Sequence, residues 1–264
     1  MNALPTALSE NRSQQLSDVG RARLLSVRGE PFFFANWERA LFIHFEIDAE
    51  ILQRELPFEL DLRNGKAFVS LVAFTMRGMC PRVGGKLAAL IFKPVATHAF
   101  LNLRTYVKHG GETGICFLTE WLSSRLSVAL GPPLYGLPYR FAKINYRHAH
   151  EKNYFRGEVN SNSGRFIYEA RLKPENIFHP CEANSPEEFL LERYTAFNWR
   201  GKSRRFFRVW HPPWPQMPAQ VSIIDDTLLT GAFPWFENAR LVGANYSPGL
   251  RDVWMGRAHS CKSG

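Results

Sequence analysis

From Phe100 to Lys108 the side chains alternate, with Leu101, Leu103, Thr105 and Val107 on one side and Asn102, Arg104, Tyr106 and Lys108 on the other. A period of two is the pattern of a pleated strand with two unlike faces. It constrains the fold because a strand needs partners, and the flanking segments read as strands too. ALFIHFEI (40–47) and GKAFVSLVAFTM (65–76) are rich in β-branched and aromatic residues. Further strands are expected at Gly114–Leu118, Arg140–Tyr146, Tyr154–Asn160 and Arg165–Lys173, then in YTAFNWR, RRFFRVW and AQVSII. Asn64-Gly65 offers the positive φ values of a tight hairpin turn, and Gly110-Gly111, SNSG and Gly201-Lys202 punctuate the later strands.

Helices are few. Asp48 caps a short one ended by Pro57, and WLSSRLSVAL reads as an amphipathic helix stopped by Gly131 and Pro132. Ser185-Pro186-Glu187-Glu188 combines an N-cap serine, a proline at the first helical position and a glutamate three residues after the cap, giving a helix to about Arg193. The class is α+β, mainly β: one domain of mainly antiparallel strands closed into a barrel or a strongly curved sheet. That domain spans 31–258, opening on the aromatic run Phe32, Phe33, Phe34 and Trp37; residues 1–30 read as a flexible tail and 259–264 as a C-terminal one.

Several function classes lose support. The longest apolar run, Leu87 to Phe92 between Lys86 and Lys93, is far below the roughly 20 residues of a spanning helix. With no secretory pattern at the N-terminus either, a cytoplasmic protein without membrane contact is expected. Cys80, Cys116, Cys181 and Cys261 contain no C-x-x-C pair and read as free thiols. His148 and His150 share one strand face but lack further ligands, so they read as a solvated face and no metal is expected. Gly84-Gly85 and Gly110-Gly111 belong to no phosphate loop, G-x-S-x-G is absent, and no cofactor is expected.

Two features carry function. If the sheet is concave under Asn102, Arg104 and Tyr106, the arginine is a fixed fork for a carboxylate, with amide and phenol aligning neighbouring polar atoms; if convex, the row is a wet outer face. The second feature is WRGKSRRFFRVW, in which Arg200, Lys202, Arg204, Arg205 and Arg208 interleave with Trp199, Phe206, Phe207 and Trp210. With 33 Lys+Arg against 24 Asp+Glu and a formal charge of +9, it suits a nucleic-acid-binding module, with bases stacked on the aromatics. The same spacing is what a hairpin shows when it packs Phe206 and Trp210 on one face and exposes arginines around a Gly-Lys turn, and that reading is preferred. Trp214 and Trp235, beside prolines, read as exposed anchors for a protein partner, and nothing in the sequence fixes the oligomeric state.

FLNLRTYVKHGG and GICF, then GLPYRFAKINY, FLLERY and HPPWPQMPA, follow one another between about Asn36 and Gln220. Together they resemble the YqjF-like family of uncharacterised conserved bacterial proteins, a domain-of-unknown-function family in the acetoacetate decarboxylase-like superfamily. The resemblance implies a cone-shaped antiparallel β-barrel of the acetoacetate decarboxylase-like type with flanking helices. In acetoacetate decarboxylases a lysine in a G-x-P-K segment forms a Schiff base with the substrate ketone. Here the segment reads Gly136-Leu137-Pro138-Tyr139, which puts Tyr139 where the lysine would stand, and a phenol cannot form an imine. Lys143 is the nearest substitute. The expectation is a barrel that binds a small carboxylate-bearing molecule without Schiff-base chemistry: Arg104 anchors the anion, Asn102, Tyr106 and Tyr139 line the pocket, and Tyr139, His211 and His44 are candidates for acid–base work.

Overall fold

The structure, a computed structural model, describes residues 6–173 and 177–261, with side chains from residue 12 onward. In chain order, α1 (Thr6–Leu25) leads into β1 (Phe33–Ile47), α2 (Ala49–Arg54), β2 (Glu59–Leu60), β3 (Ala67–Pro81) and α3 (Gly85–Phe92). There follow β4 (His98–His109), β5 (Glu112–Leu122), α4 (Arg125–Tyr135), β6 (Tyr139–Phe141), β7 (Lys143–Ala149), β8 (Tyr154–Ser161) and β9 (Gly164–Leu172). Last come α5 (Pro186–Leu191), β10 (Thr195–Arg200), β11 (Ser203–Trp210), β12 (Met217–Asp225), α6 (Thr227–Ala232), β13 (Arg240–Met255) and β14 (His259–Ser260). Among the described residues no helix is long and apolar enough to cross a membrane.

The strands pair in the order β11, β10, β5, β4, β3, β1 and β13, and β13 pairs back to β11 at Val209–Met255 and Trp210–Trp254. The sheet therefore closes on itself as a ring. From β13 it continues outward through β12, β9, β8 and β7. Most pairs are antiparallel, but β5 pairs in parallel with both β10 and β6.

Closing the ring gives each strand an inside and an outside, and the core splits accordingly. Leu41, Ile43, Leu71, Leu101, Leu103 and Val107 on the ring's outer face pack against Phe155, Val159, Phe166 and Tyr168 of the outlying strands. Phe42, Phe74, Phe100, Phe117, Phe207 and Val209 gather inside. At about 1.5–3 kcal/mol for each fully buried large apolar side chain, both layers contribute substantially. The alternation in β4 separates an apolar from a polar face and leaves open whether the polar one is wet; every residue from Phe100 to Val107 is buried, because the polar face looks into the ring.

Local signals place several elements well. Asp48 accepts the Ile51 N–H and Ser185 accepts the Glu188 N–H, capping α2 and α5. Asn64 and Gly65 both have positive φ, as their turn requires. Three readings are corrected. The strand expected over 140–146 breaks at Ala142, so β6 lies parallel to β5 and β7 joins β8. Helix α4 runs on through Gly131, Pro132 and Pro133, and Gly136 in the left-handed region ends it. The expected loose N-terminus contains α1, whose buried stripe is Ser13, Ser17, Gly20 and Leu24. The first three are small or polar, so the helix shows no apolar periodicity although it docks. Ser13 Oγ donates to Cys181 O, Ser17 Oγ donates to His211 O, and Trp210 Nε1 donates to Ser17 Oγ. At the other end, His259 and Ser260 pair with β11.

Candidate functional site

Side chains from all seven ring strands line an interior cavity of about 100 Å³. Its walls are mostly aromatic and aliphatic, and its polar groups include Asn102, Arg104, Glu120, Tyr139, Arg193 and His211. Arg104 and Tyr139 therefore meet in one hollow.

The polar groups are aligned by register. Asn102 of β4 lies opposite Glu120 of β5, and Glu120 opposite Tyr139 of β6, so one row crosses three strands. Arg104 follows two residues along β4, on the same face. Glu120 joins the row through a bulge: Leu103 pairs with Thr119 but Arg104 with Phe117, leaving Leu118 unpaired. The bulge reverses the alternation of β5, so Ile115 and Phe117 face inward on one side of it and Glu120 on the other. Strict alternation from Phe117 puts Thr119 and Trp121 inside instead, which is why sequence reasoning missed Glu120. A lone carboxylate in GICFLTEWL was the available signal. Tyr139 is held by close packing, since a Cβ on Gly131 of α4 would lie 2.2 Å from its ring. That approach, rather than a helix stop, explains the glycine.

Arg104, Asn102 and Glu120 are only 8%, 5% and 4% exposed. Arg104 Nη2 donates to Leu190 O at 3.0 Å and the guanidinium lies over the Phe42 ring, yet its Nε has no partner among the described residues. Asn102 Oδ1 and Glu120 Oε1 are likewise unpartnered. The second arginine of the cavity, Arg193, is neutralised by an ion pair with Asp61 at 2.7 Å. Burial lifts the Glu120 carboxyl from 4.5 to about 8 although Arg104 opposes the rise. Near neutral pH Glu120 is mostly protonated while Arg104 stays charged, so the cavity carries an uncompensated positive charge. Burial also pushes the Tyr139 phenol upward, with Glu120 adding to the effect, so it is a donor and not a phenolate.

The other expected residues divide. Tyr106 stands beside the cavity, its hydroxyl 2.9 Å from Leu190 O and 2.6 Å from Ser70 Oγ. His44 lies outside the lining: Nδ1 is 2.7 Å from Ser70 Oγ and Nε2 is 3.1 Å from Asn245 Oδ1. Burial, with Arg104 nearby, depresses its pKa to about 3. With the ring neutral, Ser70 Oγ donates to His44 Nδ1, Nε2–H donates to Asn245 Oδ1 and Asn245 Nδ2 donates to Gln216, while the single Tyr106 hydroxyl proton lies between Leu190 O and Ser70 Oγ. His44 thus belongs to a buried chain of hydrogen bonds behind Arg104. His211 does line the cavity, but its Nδ1 donates to Pro212 O and burial holds its pKa at about 4.

Trp214, expected as an exposed anchor, is 3% exposed, stacks on Trp37 and forms part of the cavity wall. Trp235 packs on Phe233 and Phe236. His148 is buried rather than solvated, between Arg39 O and the Tyr168 hydroxyl, and among the described residues no set of His, Cys, Asp or Glu gathers as a metal site. Segment 199–210 is the β10–β11 hairpin. Phe207 and Val209 enter the ring, while Trp199 and Phe206 pack onto the outer core and Trp210 packs on Trp254. Arg208 bonds Glu112 and Arg23 O. Lys143 is exposed on β7.

Known proteins share this architecture. The chain is 28% identical over 200 residues to the uncharacterized protein YqjF of Bacillus subtilis (strain 168), covering 73% of this chain and 78% of the relative. An acetoacetate decarboxylase-like enzyme from Sphingomonas wittichii RW1 is similar in structure at a TM-score of 0.59 and 13% identity, over 89% of this chain and 95% of that one. The enduracididine biosynthesis enzyme MppR, complexed with pyruvate, is similar at 0.58 and 12% identity, over 90% and 93%. At such identities the structures establish the fold, which is of the acetoacetate decarboxylase-like type. The sequence match itself extends over residues 34–250, nearly the whole ring, and on that ground the chain belongs to the DUF2071 family of uncharacterized conserved proteins.

Proposed function

We propose that this protein binds a small carboxylate-bearing molecule inside its ring of strands, with Arg104 as the anion anchor. The observation that carries the reading is a buried guanidinium with an unpartnered Nε in a cavity whose own carboxyl is held protonated. A bound carboxylate would neutralise Arg104 and occupy donors that otherwise cost free energy unpaired. Glu120, as a carboxylic acid, would offer a hydrogen bond or a proton to the ligand, and Asn102 and Tyr139 would align its other polar atoms. Tyr106 would hold the anchor from behind. That a structurally similar enzyme holds pyruvate, itself a carboxylate, supports the reading.

The chemistry would proceed without an imine, since the described cavity-lining residues include no lysine and the family resemblance implies Tyr139 where one would stand. Cytoplasmic location fits the four free cysteines, two of them buried. The test is a thermal-shift panel of keto and hydroxy acids against wild type and Arg104→Ala. Each acid is paired with its neutral amide, so that the outcome does not rest on the variant folding. Stabilisation by the acids alone, lost in the variant, is expected. Equal stabilisation by acid and amide would refute the anchor.

A further inference from the structure

Beyond the polar cavity lies a second, larger chamber of about 170 Å³. The two share walls at Met76, Phe100, Leu137, Tyr139, Phe207 and Met255, so these side chains border both hollows. The chamber runs between α3 and α4, past Phe33, Phe92 and Val95, and reaches the surface where Leu130 and Leu134 are 46% and 61% exposed.

Two of its polar residues direct their donors elsewhere, whereas neither ring nitrogen of the buried His98 has a partner among the described residues. The Tyr135 hydroxyl donates to Gly256 O, and the Ser127 hydroxyl donates to Ser124 Oγ within the cap of α4. His98 is held neutral by burial, its pKa at about 4. What remains is a chamber walled mainly by hydrocarbon, exposed at α4 and bordering the cavity of Arg104, Asn102 and Glu120. A small, fully polar acid would leave it empty. Apolar walls exposed around an opening are costly unless something apolar covers them.

We infer that the ligand is an amphipathic carboxylic acid, with its carboxylate at Arg104 and a hydrocarbon chain lying in the passage between α3 and α4. This rests on the carboxylate reading above and adds the chain to it. With both hollows walled mainly by apolar side chains and the charged anchor confined to the smaller one, most of the ligand's bulk is hydrocarbon. Exposed Leu130 and Leu134 form the exit through which a longer chain would reach solvent.

Straight-chain carboxylic acids from acetate to decanoate, titrated calorimetrically below their micelle concentrations, test the proposal alongside primary alcohols of equal length. The dissociation constant should fall about fourfold for each methylene that enters the passage, then level off when the chain reaches the exit. In the surface variant Leu130→Asp/Leu134→Asp, the gain for the longer acids should shrink while acetate is unaffected. Acids that bind independently of length, with alcohols not binding, would overturn the passage and leave the anchor standing. Acids and alcohols that improve equally with length would support the passage and overturn the anchor. No binding by any member would overturn both.

Discussion

Glu120→Gln isolates the electrostatics of the cavity. Glutamine keeps the shape of the protonated carboxyl and removes its titration. In the wild type the folded carboxyl titrates at about 8 against 4.5 when unperturbed, a rise caused by burial. A carboxyl raised in this way costs nothing below its unfolded value. As pH rises above that value the unfolded chain releases a proton that the folded protein keeps, so folding stability falls, and the fall ends near pH 8 where the folded group also ionises. Each pH unit within the window corresponds to about 1.4 kcal/mol. Between about pH 5 and about pH 7 the variant should therefore gain about 2–3 kcal/mol relative to wild type. Urea denaturation of both proteins at the two pH values measures the double difference, in which every other titrating group cancels. The separation of midpoints should widen by about 1 M. Parallel pH dependences would refute the reasoning: Glu120 would then ionise normally, neutralise Arg104 and leave the cavity without the positive charge that the anion-binding reading needs. The same titration predicts that carboxylate binding weakens as pH rises through about 8 in wild type but not in Glu120→Gln.

Gly131→Ala places a methyl 2.2 Å from the Tyr139 ring, which should cost about 1–3 kcal/mol by overpacking; an unchanged denaturation midpoint would mean that α4 does not press on Tyr139. Ser17→Ala strips a partner from both His211 O and Trp210 Nε1 and should cost about 1–3 kcal/mol, whereas a loose N-terminus would register nothing. His44, His98, His148 and His211 have pKa values depressed by burial to between about 3 and about 4. Their imidazole proton resonances should therefore hold still from about pH 5 to about pH 8, and titration of any of them near the unperturbed value would show that ring to be solvated.

The sequence by itself determined the strand content, the caps at Asp48 and Ser185, the Asn64-Gly65 turn and the polar row of β4, because each depends on neighbours a few residues away. It also supplied Arg104 and Asn102, since a charged residue in an apolar alternation is visible without coordinates. Which way that row faces was decided only when β11 met β13 and closed a ring that also pairs Phe33 of β1 with Met255 of β13, contacts that no local pattern specifies. The same closure buried Trp214, which reads as exposed beside its prolines. A single extra residue at Leu118 turned Glu120 inward against the period of its own strand. The docking of α1 stayed illegible because its buried face carries Ser13, Ser17 and Gly20, and only the carbonyl, indole and ring set opposite them make that face a fit. Pattern reports how a segment can bury apolar surface. Register, bulges and partners across the ring decide which of its polar groups share a cavity.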